Sequence, residues 1–346
     1  MADERGELLR EFIAPFKVKP GSKVSLAKDF DPSYRGRFLS KQDSVDFLQR
    51  GVQILAEYQE RLAAQDQWGV LVCLQALDAA GKDGTIRHVM SGVNPQGVHV
   101  HPFKLPSYEE LDHDFLWRYA QHLPARGDIN IFNRSHYEEV LVVRVHPELL
   151  GPQRLPQAIR EDPDIWEKRY RDINAWERRL VDNGFKVVKL FLNLSREEQR
   201  QRFLKRIELH EKNWKLSVND VKERRCWDDY QLAFSEMLSN TSTEWAPWYV
   251  VPADHKWFAR ICVSAVLAAT LLEIDPKFPE MGPDALRQLE EARQQLEAEV
   301  PAEARDETAR KNGKTGKNGK KTDEKAKKLA EKAKKALLEQ AEPAGD

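Results

Sequence analysis

Residues Leu71 to Ile86 read Leu-Val-Cys-Leu-Gln-Ala-Leu-Asp-Ala-Ala-Gly-Lys-Asp-Gly-Thr-Ile, and this stretch narrows the fold more than any other. An apolar β-type run ends in a turn of small residues. Gly81 and Lys82 follow, and then a helical pattern begins. Backbone N–H groups at a helix N-terminus face an anion, and a lysine meets the outer phosphates; this is the layout of a phosphate-binding loop. The stretch departs from G-x-x-x-x-G-K-[ST] in two places. Ala76 stands at the first glycine, and Asp83 stands at the hydroxyl residue that normally holds Mg²⁺. Asp78 adds a negative charge inside the turn. A carboxylate in an anion cradle costs energy unless a cation offsets it, and Mg²⁺ takes one or two carboxylates together with phosphate oxygens. The loop therefore reads as a place where Asp78 and phosphate share a metal ion. The competing reading of a Gly-Lys turn is a plain strand-turn-helix with a solvated lysine and an N-capping aspartate.

A chain of 346 residues suggests one large domain with appendages, or two domains. Hydrophobic residues make up 41% of it, enough for a substantial core everywhere except the C-terminal end. From Arg310 to Lys335 there is no aromatic residue, and eleven lysines and one arginine stand against Asp323, Glu324 and Glu331. The formal net charge of −1 thus hides a basic tail and an acidic remainder, and says little about partners. The tail reads as a solubilising extension; the competing use is capture of polyanions. Three widely spaced cysteines, Cys73, Cys226 and Cys262, show no pairing or metal-ligand spacing and suit a reducing compartment. The charged N-terminus lacks the apolar core of a signal peptide, and the apolar run Ile261 to Ile274 is short for a bilayer. A cytoplasmic protein with no membrane partner is the expectation.

Residues 1 to about 40, with Pro15, Pro20, Gly21 and Pro32, read as an irregular N-terminal extension. Ser40 or Asp43 is placed to cap a helix reaching about Gln67, with Val45, Phe47, Leu48, Val52, Leu55 and Leu62 at roughly helical spacing. Strands are expected at Gly69 to Gln75, Gly97 to Phe103, Asp128 to Asn133, Phe185 to Leu194 and Trp248 to Val251. Helices are expected at Gly84 to Val93, Tyr108 to Gln121, Asp164 to Asp182, from Ser195 onward, and at Lys256 to Ile274. Val140 to Val145 suits either type. The first strand is almost continuously apolar, as strands buried on both faces are. Alternating strands and helices point to an α/β three-layer fold with a mostly parallel five-stranded sheet.

Three other constellations could carry chemistry. Phe132 to Glu139 reads Phe-Asn-Arg-Ser-His-Tyr-Glu-Glu and leaves the third strand. Arg134 would project from the carboxyl edge of the sheet, where such folds bind ligands, or form an ordinary ion pair with a glutamate. On the helix from Ser195, Arg202 and Arg206 share a face with Lys205 beside them. Arginines placed so clamp phosphoryl groups from a lid, or simply face solvent. At the last strand's exit, Asp254 and Lys256 could contact a base, ribose or phosphate, or Asp254 could cap a helix. His99 and His101 share a strand face, but two histidines without a third ligand make a weak metal site. Most of the tryptophans 166, 176, 214, 227, 245, 248 and 257 should be packing residues, with at most one or two stacking on a base.

Taken together, Asp78-Ala-Ala-Gly-Lys-Asp-Gly, Phe132-Asn-Arg-Ser-His-Tyr-Glu, Phe203-Leu-Lys-Arg with Glu211-Lys-Asn-Trp-Lys, and Thr243 to Trp257 closely resemble the polyphosphate kinase 2 family. The resemblance spans roughly residues 10 to 275. It implies a P-loop kinase-like fold: a core over residues 41–275, a helical lid at about 200–240, and a tail at 276–346. It also implies transfer of a terminal phosphoryl group between inorganic polyphosphate and a purine nucleotide, with Mg²⁺ or Mn²⁺. By position, Asp78 looks like the metal-organising carboxylate and Lys82 the phosphate-binding lysine. Arg134 looks like a phosphate contact, and Arg202 and Arg206 look like the lid arginines. Ala79, Ala80, Gly81, Asp83, Gly84, Thr85, Asn133, Glu138 and Lys205 complete the implied nucleotide and phosphate site. Many members carry Asp where this chain has Asn133. The version here resembles the subgroup that accepts both AMP and ADP, which makes Glu138 a candidate for substrate choice. Homo-oligomers are common in the family, and nucleic acid is not the expected partner. The chemistry of the residues agrees, since phosphoryl transfer needs positioning and charge neutralisation rather than covalent chemistry. A basic groove should lead to the site, because the polymer is a long polyanion. Two rival readings are an ATP-dependent nucleoside monophosphate kinase and a non-catalytic polyanion binder acting through its tail.

Overall fold

The computed structural model describes residues 2–36, 41–215 and 217–299. Ser40 and the Lys-rich tail lie outside what is described there, whereas Asp43 falls within the helix Lys41–Gln65 and not ahead of it. The chain divides into two compact units, residues 1–279 and 280–346. Within the second, helix α9 (Pro283–Glu299) is the described element.

The larger unit is built on five parallel strands in the order β2-β3-β1-β4-β5. They are β1 (Gly69–Ala76), β2 (Val98–Pro102), β3 (Ile129–Asn133), β4 (Phe185–Asn193) and β5 (Trp248–Pro252). The central strand β1 is buried along its whole length. Its side chains alternate between two cores, Val70, Val72 and Leu74 on one face and Leu71 and Cys73 on the other, because successive residues of a strand point to opposite faces.

On the first face lie α1 (Ala2–Ile13), α2 (Lys41–Gln65), α3 (Lys82–Val89) and α8 (Lys256–Ile274). Helix α8 touches the sheet on one side and α1 and α2 on the other. It is apolar nearly all round, as a helix buried on both sides must be. Its length and composition would also suit a membrane span, but here Phe258, Cys262, Val266 and Leu271 pack into the core. Gly51 permits the close approach of α2, since a Cβ there would stand 2.2 Å from Ser264 Oγ on α8. The opposite face is covered by α4 (Ile165–Asp182) and α7 (Trp227–Thr241). Between β4 and α7 run α5 (Arg196–Glu208), a 3₁₀ segment (His210–Lys215) and α6 (Val218–Glu223).

Three expectations need correction, and one left open is decided. The N-terminal stretch is not an irregular appendage. Helix α1 ends on Ile13, which lies with Phe16 in the main core, and the Val18 N–H donates to the Trp248 carbonyl at 2.9 Å, covering the open edge of β5. Tyr108 to Gln121 is two single-turn helices, Tyr108–Leu111 and Trp117–Ala120. Val142–Val145 is helical, preceded by a 3₁₀ turn (His136–Val140). The excursion expected at 200–240 is shorter, because α7 puts Tyr230, Phe234, Met237 and Leu238 into the core. Its exposed apolar residues Leu204, Ile207, Trp214, Val218 and Val221 mark the part that stands off the sheet.

Candidate active site

The parallel register sets the site. Leu74 lies opposite both Asn133 and Leu190, and Asn193 lies opposite Pro252, so β1, β3, β4 and β5 release their chains at one edge. The loop after β1 turns through Ala79 (φ 66) and Gly81 (φ 104), both left-handed. At Gly81 only glycine holds that conformation without cost. No side chain caps the start of α3. The first intrahelical bond there is Thr85 N–H to the Gly81 carbonyl, 2.9 Å. The N–H groups of Lys82, Asp83 and Gly84 precede it and have no intrahelical acceptor, so they are available to an anion.

Lys82 folds back along the loop and donates from Nζ to the Ala76 carbonyl at 2.9 Å. Burial, and then the nearby Arg134 guanidinium, lower its pKa to about 8, against the pull of Asp78, Glu138 and Asp83. Arg134 stands at the exit of β3 in a left-handed conformation (φ 67), which a non-glycine residue holds only when its surroundings impose it. Its guanidinium bridges two carboxylates, Asp78 Oδ1 at 2.9 Å and Glu138 Oε2 at 3.1 Å. Glu138, followed by Asp78, raises its already high pKa and keeps it a fixed cation. Asn133 donates to Asp83 Oδ1 at 2.8 Å and so ties β3 to the start of α3.

A buried ionic cluster holds the Arg134 turn from below. Lys189 Nζ meets Glu177 Oε2 at 2.7 Å and the Tyr137 hydroxyl at 3.1 Å. Tyr137 OH donates to Glu177 Oε1 at 2.7 Å, and His136 Nε2 lies 3.2 Å from the same oxygen. All four side chains are fully buried. Burial depresses the Lys189 and His136 pKa values, while Lys189 and His136 hold Glu177 low against its own burial. His136, which the sequence places in the strand-exit motif, is therefore structural.

Several expected roles change. Arg202 was expected to clamp phosphoryl groups from a lid, but it is buried and its donors are spent. Nη1 reaches the carbonyls of Ala79 and Ala80 at 3.0 and 2.8 Å, Nη2 those of Ala253 and Asp254 at 2.6 and 2.9 Å, and Nε reaches Glu198 at 2.7 Å. It braces the loop from outside. Arg206 projects further along α5, 3.5 Å from Asp220 Oδ2 on α6, and Lys205 is exposed beside it. Thr85 is buried with its N–H in the helix, and the Ala80 N–H is turned to the Leu77 carbonyl at 3.3 Å. Asp254 accepts from the Ser195 N–H at 2.8 Å and so anchors the start of α5, which Ser195 itself caps, and it does not cap its own helix. His99 pairs with Asp128, and His101 stacks near His122.

Between the loop and α6–α7 opens a narrow cleft of about 40 Å³. Asp78, Arg134 and Glu138 lie on one side of it. Asp220, Glu223, Arg224 and Tyr230, none of which the sequence singled out for chemistry, lie on the other with Trp227. The spacing of Trp227, Tyr230 and Phe234 at helical intervals was the available signal for an aromatic wall. On the opposite flank of the loop, Arg260 approaches Gly84, with Arg87 beside it, and Lys256 has Lys205 and Lys212 nearby. Among the described residues no three His, Cys, Asp or Glu side chains gather to form a protein-only metal site. Mg²⁺ needs only a carboxylate or two when phosphate supplies the other oxygens. Asp78, about a third exposed at the cleft floor, fits that requirement.

Comparison with known proteins supplies the lineage. The sequence model of polyphosphate kinase 2 matches residues 38–279. The chain is 49% identical over 284 residues to an ADP-polyphosphate phosphotransferase of Rhodopseudomonas palustris, covering 81% of this chain and 97% of the relative. It is 45% identical over 266 residues to an AMP/ADP-polyphosphate phosphotransferase of Meiothermus ruber, covering 77% and 95%. The crystal structure of polyphosphate kinase 2 from Arthrobacter aurescens superposes with a TM-score of 0.71 at 40% identity, covering 79% of this chain and 94% of that one.

Proposed function

The chain belongs to the polyphosphate kinase 2 family and is a polyphosphate:nucleotide phosphotransferase; from that premise we propose how its own residues divide the work. The acceptor nucleotide occupies the cleft between the loop and α6–α7, and polyphosphate runs along the basic flank of the loop. The observation that carries this division is the contrast between the two sides: an aromatic wall with Trp227 and Tyr230 on one, and Arg87, Lys256 and Arg260 on the other.

Between them, the N–H groups of Lys82, Asp83 and Gly84 and the Lys82 ammonium face the phosphoryl group in transfer. Such a group passes through a loose transition state whose charge sits on its outer oxygens, so fixed donors stabilise it without forming a covalent bond. Arg134 contributes a permanent cation at the floor. Asp78 would hold Mg²⁺ or Mn²⁺ together with phosphate oxygens. The ion would supply charge neutralisation and alignment of donor and acceptor. Asn133 acts indirectly, by holding Asp83 in place. Glu138 sets the choice between AMP and ADP through its grip on Arg134, because a shorter acceptor must seat its phosphate deeper against that pair.

Incubating the purified protein with ADP, polyphosphate and Mg²⁺, and no ATP, tests the reading. ATP should form, and should also form from AMP by way of ADP. A protein that phosphorylates AMP from ATP but ignores polyphosphate would instead be a nucleotide-dependent kinase. Glu138→Asn should shift the AMP-to-ADP preference, and an unchanged ratio would remove Glu138 from substrate choice.

A further inference from the structure

Four carboxylates line the cleft, and three of them are committed to arginines: Asp78 and Glu138 to Arg134, and Asp220 to Arg206. The fourth, Glu223, is held differently. It closes α6 and keeps 35% of its side chain exposed. Its Oε2 accepts from the Tyr230 hydroxyl at 2.8 Å and from His146 Nε2 at 2.9 Å. Tyr230 is buried in the wall, and its ring lies 6.4 Å from that of His146. Burial, and then Glu223 itself, push the Tyr230 phenol far above its ordinary pKa, so it stays a donor. His146 Nδ1 faces Glu148 at 3.4 Å, so the imidazole is oriented from both ends. The two bonds fill the acceptor positions of Oε2 and leave Oε1 for a ligand. A side chain fixed in this way is preorganised for recognition.

We propose that Glu223 is a specificity residue for the acceptor nucleotide, taking one hydrogen bond from a donor on its nucleoside: a ribose hydroxyl or the exocyclic amino group of the base. The inference rests on the cleft being the nucleotide site. Glu223 lacks the arginine that each of the other cleft carboxylates holds, so it suits an uncharged part of the acceptor better than its phosphates. An ionised carboxylate accepts and never donates, which restricts its partner to N–H or O–H groups. With only Oε1 open, the two-point match that a carboxylate offers to adjacent N–H donors is unavailable, so a single donor is selected. The neighbouring Trp227 ring gives the flat apolar surface beside which a nucleoside would lie.

The experiment uses the full chain with Mg²⁺ and polyphosphate. It measures kcat/KM for ADP, 2′-deoxy-ADP, 3′-deoxy-ADP and inosine diphosphate, which lacks the amino group. Glu223→Ala should lower kcat/KM for ADP by about tenfold or more, the loss typical of an unmet hydrogen bond to a charged group. The loss should vanish for the analogue that lacks the recognised donor. Either deoxy analogue points to the ribose and the inosine analogue to the base. Glu223→Gln keeps the side-chain shape and should show the same pattern more weakly. Tyr230→Phe, which frees Glu223 from one anchor, should reproduce part of the loss with the same analogue. An equal loss across all four acceptors, or no loss, overturns the proposal. A wild-type protein that makes no ATP from ADP and polyphosphate overturns the phosphotransferase reading itself.

Discussion

Arg134 Nη2 stands 2.9 Å from Asp78 Oδ1, joining the exits of β3 and β1 across the floor of the cleft. The loop acid is thus neutralised by a protein cation before any ligand arrives. A metal ion that engages Asp78 enters beside a guanidinium, so its charge has to be shared with incoming phosphate oxygens. Metal and phosphate should therefore bind together.

Asp78→Asn should lower kcat by about a hundredfold or more, because it removes the metal-organising charge and loosens Arg134 at once. Stability should change by no more than about 1 kcal/mol, since the pair is partly solvated. Steady-state kinetics beside a urea titration checks this. Unfolding at ordinary temperature would assign Asp78 to the scaffold.

Lys82 makes activity and stability respond to pH in opposite directions. With its pKa lowered to about 8, the free enzyme loses the ammonium as pH rises through that value. The kcat/KM profile should fall there, and Lys82→Arg should move the fall to higher pH. Between about 8 and the ordinary lysine value the unfolded chain holds more protons than the folded one, so stability attributable to this group should rise over the same interval. Melting temperatures and rates measured in one buffer series test both trends. Lys82→Ala should abolish the kinetic limb along with most of the activity.

Arg202 and Arg206 share a helix face but should behave differently. Arg202→Lys cannot span four carbonyls and should cost about 2–4 kcal/mol of stability as buried acceptors lose their donors. Its activity should fall as the loop relaxes. Arg206→Ala should reduce activity with little change in the melting curve. Equal thermal shifts in the two variants would contradict the bracing role of Arg202.

The Glu177–Lys189 pair has no contact with the cleft, yet it supports the turn that carries Arg134. Glu177→Gln or Lys189→Met alone leaves a buried charge unpaired and should cost about 3–5 kcal/mol. The double variant should be less damaged than either single one, because it removes both charges together. Denaturant unfolding of the three proteins gives the coupling, and additive losses would mean that the pair does not act as a unit.

Much of this was legible along the chain, for reasons that are local. The small-residue turn before Lys82 needs a strand before it and a helix after it. The apolar runs at Val70, Ile129 and Val188 are long enough only for strands buried on both faces. Where reading failed, the missing information was distance across the fold. Arg202 reads as a surface cation on α5 until the loop it braces, more than a hundred residues earlier, is brought beneath it. Lys189 reads as the polar position of a strand until Glu177 packs over it. The N-terminal residues look irregular from their prolines, but Ile13, Phe16 and Val18 find their partners on β5 and α8.

Sequence alone determined the order of strands and helices and the chemistry available at the loop, because backbone conformation and side-chain charge are properties of neighbouring residues. Tertiary structure alone decided which cations face the ligand and which serve the frame. A guanidinium or ammonium satisfies whatever carbonyls and carboxylates the packed core presents to it, and those acceptors come from strands and helices far apart in the chain.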